Sequence, residues 1–323
     1  MRFVRTLKGD IASEKLGFTY SHEHIVCVPP HWQEHGEDDL LLDDPEKSLQ
    51  DVLDLKKAGC DTMIDATCVD YGRDVRAVSR IGELADIQIV ATTGFNKGFL
   101  WDAKIPGKKE TFAEMITRTP IDQLADWMIH EVENGIEGTN LRCGQIKFGT
   151  GYNSISPLEL KTLRAACRAH LQTKAPLHSH TENGTMPLQQ IRYLKEEGVD
   201  LHNISFGHMD RNPDPWMHLK IAEQGAYLCF DGIGKIKYNP ECVRIHCILE
   251  LVRHGYQKQI LISGDFARKS YLTHYNYGPG YHSIILDWIP RFIEEAEKAG
   301  FCGSALINDF FINNPRECFS FKK

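Results

Sequence analysis

Short runs of apolar and β-branched residues recur along the chain. Each run is followed by glycine, proline or asparagine and then by a stretch with helical periodicity. Eight runs are predicted to be strands, at residues 19–25, 62–67, 88–93, 144–148, 175–180, 204–208, 226–231 and 259–265. Amphipathic segments between them are typical of helices, and the clearest are residues 44–59, 120–136, 156–174, 186–198 and 240–256. The pattern is a strand followed by a helix, repeated eight times.

This repeat favours a single α/β domain over residues 1–323, folded as a (β/α)₈ TIM barrel. A doubly wound parallel sheet is the alternative. Barrel chemistry gathers at the C-terminal ends of many strands, whereas a doubly wound sheet binds its ligand at one switch point. Residues 26–45 and 95–110 are longer connections, which we expect over the mouth of the barrel. Residues 300–321 are predicted to form one or two helices that cover one end.

Charge and composition exclude several classes of protein. Thirty-seven Lys and Arg against 44 Asp and Glu give a net charge of −7, so a nucleic-acid partner is not expected. The chain has no apolar run of about 18 residues and no export signal at its start, so we expect no membrane partner and a cytoplasmic location. Its ten cysteines are scattered without a C-x-x-C pair and are expected to be reduced thiols.

Metal-ligand residue types lie at or near the ends of the predicted strands. His22 and His24 close the first run, and residues i and i+2 of a strand share a face about 6.6 Å apart, so both imidazoles can bind one ion. The corresponding residues of later runs are Lys147, His178, His180, His208 and Asp265. Because these residues exceed the needs of one catalytic ion, a centre with two transition metals is predicted.

Lys147 is an unusual residue for such a centre, since its ammonium would repel both ions. The same repulsion favours the neutral amine. A neutral amine can capture CO₂ to form a carbamate, which is an anionic bridge between two metals. We therefore expect Lys147 to be N6-carboxylated, with an unmodified lysine that reaches to solvent as the alternative.

Seven motifs occur in order between about residue 8 and residue 315. They are G-D-I, L-G-F-T-Y-S-H-E-H, I-K in the fourth run, H-T after the fifth, G-H-M-D-R after the sixth, S-G-D in the eighth, and N-N-P. In these motifs the chain resembles the phosphotriesterase family of the amidohydrolase superfamily, whose members include lactonases and organophosphate hydrolases.

The resemblance implies a role for each ligand. His22, His24 and Asp265 would hold one divalent metal, His180 and His208 the other, and carboxylated Lys147 would bridge them. Zinc is expected, with manganese, cobalt and iron as alternatives. His178 has no counterpart in the family's ligand set, so it is expected beside a ligand or on the substrate side. Asp210 is expected either to contact a ligand of the centre or to cap a helix.

The loops after the seventh and eighth runs are cationic. They contain Lys235, Lys237, Arg268 and Tyr271, in a region where barrels often hold phosphate. Lysine and arginine on loops are often merely solvated. The chain nevertheless resembles here the branch of the family that opens phosphorylated sugar lactones, which implies that Lys237, Arg268 and Tyr271 bind the substrate phosphate.

The resemblance implies a small-molecule substrate, an aldono-1,4-lactone phosphate, and hydrolysis by a metal-bridging hydroxide. Asp265 would be the catalytic residue that moves the proton to the leaving ring oxygen. Hydrolysis of unphosphorylated lactones or of organophosphate triesters is the alternative. A barrel that binds metal or sugar phosphate without turnover is a further alternative. The resemblance also implies a homodimer.

Overall fold

The computed structural model describes residues 2–322. Within that range the strands are β1 Phe3–Thr6, β2 Gly9–Ala12, β3 Thr19–Glu23, β4 Thr62–Asp65, β5 Gln88–Val90, β6 Thr92–Gly94, β7 Gln145–Thr150, β8 Leu177–Thr181, β9 Ile204–Phe206, β10 Tyr227–Phe230 and β11 Ile260–Ile262. The helices are α1 Pro30–Glu34, α2 Pro45–Ala58, α3 Val75–Leu84, α4 Phe112–Arg118, α5 Ile121–Glu133, α6 Pro157–Thr173, α7 Pro187–Glu196, α8 Pro215–Ala222, α9 Glu241–Arg253, α10 Thr273–Asn276, α11 Ile289–Lys298, α12 Gly303–Asn308 and α13 Asn314–Cys318.

Strands β3 to β11 form a parallel barrel. One arc runs β3-β4-β5 and the other runs β6-β7-β8-β9-β10-β11, and β5 continues into β6 after the single residue Ala91. The first and last strands meet at a seam, where the Asp265 N–H donates to the His22 carbonyl at 3.0 Å and the His22 N–H donates to Ser263 Oγ at 3.0 Å. The barrel prediction is therefore confirmed, and the doubly wound alternative is excluded.

Local signals in the sequence explain where the helices begin and end. Helix α6 begins after Ser156, whose side chain and that of Glu159 form a reciprocal capping box. Helix α2 follows the cap Asp44 and ends at Gly59, whose φ of 110° an L side chain rarely adopts. The five helical segments predicted from periodicity are confirmed as α2, α5, α6, α7 and α9. Residues 300–321 contain α12 and α13, as predicted.

Two features of the strands differ from the prediction. The hairpin of β1 and β2 was not predicted, and it is antiparallel and precedes the barrel. The sixth and eighth runs also end earlier than predicted, so His208 and Asp265 lie beyond strands β9 and β11 rather than closing them. Both residues have positive φ, 62° and 45°, which breaks the strand geometry. Within residues 2–322 each helix is too short or too polar to cross a bilayer.

Candidate metal centre

The six predicted ligands meet at the C-terminal mouth of the barrel. His22 lies in β3, Lys147 in β7 and His180 in β8, and the other three lie in segments that follow strands. All six line one cavity of about 450 Å³, together with Trp32 and Leu40 from the first long connection and Asn96, Lys97 and Phe99 from the second. These connections therefore lie at the mouth of the barrel, as predicted.

One group of ligand atoms consists of His22, His24 and Asp265, whose donor atoms lie within 4.8 Å of one another. Asp265 Oδ1 is 3.8 Å from His22 Nε2 and 3.5 Å from His24 Nε2. The other ring nitrogens contact Asp231 Oδ2 at 2.8 Å and Thr67 Oγ1 at 2.7 Å, so each Nε2 faces the centre. His22 Nε2 is buried and has no hydrogen-bond partner among residues 2–322. An orphaned buried nitrogen beside a carboxylate fits a metal ligand.

His180 and His208 form a second pair of donors. His180 Nδ1 lies 2.9 Å from His208 Nε2. The opposite ring nitrogens contact Glu182 Oε2 at 2.9 Å and Asp231 Oδ1 at 2.8 Å. Both rings therefore keep one nitrogen directed at the other, which is the arrangement expected of two imidazoles that share one ion.

Lys147 is buried in the wall of the same cavity, with 1% of its surface exposed. Its Nζ donates to the Ala66 carbonyl at 3.0 Å. This buried position, with a single backbone acceptor, fits the prediction of a carboxylated side chain better than that of a lysine that reaches to solvent. The carboxylation itself stays a prediction.

Asp231 links the two groups of donors and was not predicted as a site residue. One of its oxygens contacts His22 and the other contacts His208, and it also accepts the His208 N–H. Burial raises the pKa of Asp231, but the His208 and His22 rings outweigh burial and hold the pKa well below its usual range. Its place at the end of the seventh predicted strand was the available signal, because barrel ligands and their partners lie at such ends.

Asp265 is held by the backbone around it and by two cations. Glu23 accepts from Ser263 Oγ at 2.7 Å and from the Phe266 N–H at 2.9 Å, which constrains the loop that contains Asp265. Asp265 Oδ2 accepts from Lys235 Nζ at 2.7 Å and from Arg211 Nη2 at 2.8 Å. Burial raises the pKa of Asp265, but Lys235 first, with His208, His22 and Arg211, holds it well below the ordinary value.

His178 and Asp210 lie outside the donor set. The His178 ring packs edge-on against His22 with centroids 4.6 Å apart, and its Nδ1 contacts Ser205 Oγ at 2.8 Å. His178 thus packs beside the predicted metal ligand His22, as one of the two expectations had it. It is absent from the described lining of the cavity, which contradicts a position on the substrate side. Asp210 accepts from Arg244 Nε at 2.7 Å, and the cap of helix α8 is Asp214, so the helix-cap interpretation of Asp210 is wrong.

The three predicted phosphate ligands line one side of the cavity. The Lys237 Nζ lies 5.5 Å from the centre of the Tyr271 ring, and Arg268 Nη1 donates to Asp39 Oδ2 at 3.1 Å. Burial, then the charges of Arg268 and Lys235, lowers the pKa of Lys237 to about 8. Burial raises the pKa of Tyr271 to about 12, so its hydroxyl stays protonated as a donor. The arrangement can hold an anion.

An ion pair that the sequence did not single out lies on another side of the cavity. Lys97, after β6, pairs with Glu182, after β8, and Glu182 in turn contacts His180. Burial raises the pKa of Glu182, but His180 and Lys97 outweigh burial and keep the carboxyl ionised. Neither residue stands in a spacing pattern or a repeated motif, so periodicity could not find the pair.

Several known proteins are similar to this chain over nearly its whole length. The phospho-furanose lactonase of Mycoplasmopsis agalactiae is 33% identical over 99% of this chain and 92% of its own length. The crystal structure of a lactonase from Listeria monocytogenes has a TM-score of 0.98 and 57% identity over 99% of this chain and 100% of that chain. The phosphotriesterase homology protein from Escherichia coli, solved with phosphate in its active site, has a TM-score of 0.86 and 31% identity over 94% and 99%. Residues 2–319 match the pattern of the phosphotriesterase family. The chain therefore belongs to the phosphotriesterase family.

Proposed function

We propose that the chain is a metal-dependent hydrolase that opens phosphorylated sugar 1,4-lactones. One observation supports this assignment above the others: Lys237, Arg268 and Tyr271 line the same cavity as the six metal-ligand residues. These side chains form a cationic and phenolic wall that suits a phosphate dianion. A neutral triester carries no negative charge for this wall to bind. The alternative substrates, plain lactones and organophosphate triesters, leave this wall without a partner.

The donor set fits two divalent ions, for which zinc remains our expectation. His22, His24 and Asp265 would hold one ion and His180 and His208 the other, with carboxylated Lys147 between them. When bound, such a pair lowers the pKa of a shared water toward roughly 7 and polarises a carbonyl oxygen.

Asp265 is the residue proposed to move the proton. It accepts the proton of the attacking water as the carbonyl carbon is attacked, and it delivers that proton to the ring oxygen as the carbon–oxygen bond breaks. Arg211 and Lys235 on its Oδ2 favour the ionised carboxylate, so Asp265 is unprotonated before it accepts the proton. The product is the open sugar acid with its phosphate intact.

The phosphate takes no part in bond breaking. Its binding by the wall holds the ring so that the carbonyl lies at the ligand residues, and the binding energy serves orientation. Two relatives support this assignment. The relative from Mycoplasmopsis agalactiae is named a phospho-furanose lactonase, and that from Escherichia coli holds phosphate in its active site.

We also propose that the chain acts as one domain, because one buried apolar cluster extends from Leu7 to Phe321.

Substitution of Arg268 tests this proposal. Arg268→Ala removes one charge-assisted contact, worth about 1.5–3 kcal/mol or roughly 10- to 100-fold in KM. We expect this rise in KM for a pentono-1,4-lactone 5-phosphate and an unchanged KM for the plain lactone, measured with a pH indicator and metal-loaded enzyme. Arg192→Ala, on the exposed surface of α7, is the control and should leave both values unchanged.

Two outcomes would contradict the proposal. An equal change on both lactones would show that Arg268 does not bind phosphate. Absence of turnover on every lactone, with metal bound, would favour a barrel that only binds its ligand. Weak hydrolysis of an organophosphate triester would not replace the assignment if the lactone phosphate is opened faster.

A further inference from the structure

The ion pair of Lys97 and Glu182 lines the cavity from loops other than those of the phosphate wall, which consists of Lys237, Arg268 and Tyr271. Lys97 follows the third strand of the barrel and Glu182 the fifth, whereas Lys237 and Arg268 follow the seventh and eighth. In a closed ring of eight strands these two pairs of loops lie on nearly opposite sides. From this strand order we place the phosphate end of the cavity at the loops of Lys237 and Arg268 and the opposite end at the loops of Lys97 and Glu182. All four residues line the same cavity as the metal-ligand residues.

The pair presents both a hydrogen-bond acceptor and donors to a ligand. Glu182 Oε2 contacts both Lys97 Nζ and His180 Nε2, the latter at 2.9 Å. Within the described chain this leaves the other carboxylate oxygen and two ammonium protons free for a ligand. The two side chains keep 16% and 25% of their surface exposed, and both line the cavity.

The backbone that presents Lys97 is fixed on both sides. The Asn96 N–H donates to both oxygens of buried Asp70, at 3.0 and 2.8 Å. The Gly98 N–H donates to Glu159 Oε1 at 3.0 Å, and Glu159 belongs to the capping box of helix α6. A lysine held between two anchored amides is preorganised, so it loses less freedom on binding than a lysine on a mobile loop.

We propose that Lys97 and Glu182 bind the ring hydroxyls of the lactone, the C2 hydroxyl first. This inference rests on the proposed function. With the phosphate on C5 at one end and the carbonyl carbon at the ligand residues, the C2 hydroxyl lies on the side of the carbonyl away from the ring oxygen, toward this pair. A hydroxyl donates to the carboxylate and accepts from the ammonium, so it satisfies both partners.

Other occupants suit the pair less well. A second anionic group would meet the Glu182 carboxylate at close range and be repelled. An apolar group would displace water from an ion pair without replacing its hydrogen bonds, which is unfavourable. The pair therefore selects lactones that carry hydroxyls beside the carbonyl.

A comparison of two substrates on two enzymes tests the inference. Lys97→Met keeps the length of the side chain and removes its donors. The substrates are the pentono-1,4-lactone 5-phosphate that the wild-type enzyme opens fastest and its 2-deoxy analogue. We expect Lys97→Met to lower kcat/KM by roughly 10- to 100-fold on the hydroxylated lactone. On the 2-deoxy lactone we expect a loss of less than about threefold, because this substrate already lacks the hydroxyl that Lys97 would bind.

Controls separate binding from a structural role. Lys109→Met, on the exposed part of the same loop, should match the wild-type enzyme on both substrates. Lys97→Arg keeps the charge and should recover part of the loss. Metal content and circular dichroism are measured for each variant, and Lys97→Leu, which also lacks a donor, replaces Lys97→Met if the latter does not fold.

The outcomes are distinguishable. A loss of equal size on both substrates, or no loss on either, overturns the inference and leaves the proposed function intact. If the wild-type enzyme with bound metal opens neither lactone phosphate, the proposed function is wrong and the inference falls with it. A loss confined to the hydroxylated lactone supports both.

Discussion

At the scale of single residues, the orientation of each histidine depends on its second ring nitrogen. His22 and His208 share one anchor, Asp231, whose two oxygens each contact one ring at 2.8 Å. Such partners set which nitrogen faces the metal and raise the basicity of the ring. A single carboxylate thus orients one ligand from each of the two donor groups.

Substitution of Asp231 should weaken metal binding without removing a ligand. Asp231→Asn preserves the shape but replaces one acceptor oxygen by an NH₂ donor. We expect metal affinity to fall by about 10- to 100-fold, measured by competition with a coloured chelator. Asp214→Asn, at the cap of helix α8 where asparagine is equally suitable, is the control. Unchanged affinity in Asp231→Asn would show that the two rings are oriented by other contacts.

Lys237 should make phosphate binding depend on pH. Its pKa of about 8, lowered mainly by burial, means that it is charged below that pH and neutral above it. The phosphate is already a dianion there, so its attraction to Lys237 weakens as the pH rises through about 8. We expect kcat/KM for the phosphorylated lactone to fall over this range after correction for spontaneous opening, and Lys237→Arg to remove the fall. The same fall on a plain lactone would assign it to another group.

The sequence predicted residues that stand in patterns and missed residues that do not. His22, His24, His180 and Lys147 were placed by strand periodicity and by family motifs, and the structure brings them together. Glu182 lies directly after the H-T motif, but a carboxylate there has no periodic signature. Its role depends on Lys97, a residue 85 positions away that only the closed barrel brings into contact.

At the scale of elements, Glu159 in the first turn of helix α6 both caps that helix and holds the loop that presents Lys97. Glu159 accepts the Ser156 N–H at 2.8 Å with one oxygen and the Gly98 N–H at 3.0 Å with the other. Ser156 Oγ accepts the Glu159 N–H at 3.2 Å in return. The start of one helix and a wall of the cavity are thus joined through one carboxylate.

Loss of the Ser156 cap should therefore destabilise the protein. Ser156→Ala leaves one N–H of the first turn without its acceptor, which costs about 0.5–2 kcal/mol. We expect the free energy of unfolding in urea to fall by that amount. Thr111→Ala, which removes a similar but exposed capping box from the shorter helix α4, should cost less. Equal stability of Ser156→Ala and the wild-type protein would show that water replaces the cap.

Periodicity located the helices better than the ends of the strands. The amphipathic segments of α2 and α6 have an apolar face and a capping residue, so their limits can be read from local chemistry. The segments that end the sixth and eighth runs contain His208 and Asp265 at positive φ, which no apolar pattern indicates. These residues leave the strand where the site needs them, and the closure of the barrel holds them there.

At the scale of the whole molecule, the donors come from strands spread around the barrel, so bound metal should stabilise the fold. Ions that bind the folded chain but not the unfolded chain raise its stability by mass action. We expect a chelator to lower the Tm, measured by circular dichroism during heating, and added zinc to restore it. The Asp231→Asn variant should show a smaller difference between the two states. A Tm independent of metal would contradict a centre that joins opposite strands.

Metal counting tests the central claim most directly, since the proposed function requires two ions held by His22, His24, Lys147, His180, His208 and Asp265. The measurement is elemental analysis of the purified, metal-loaded wild-type protein beside the His22→Ala and Lys147→Ala variants. The account predicts about two divalent transition ions per wild-type chain and a clear loss in both variants. One ion or none in the wild-type protein, or an unchanged count in both variants, would contradict it.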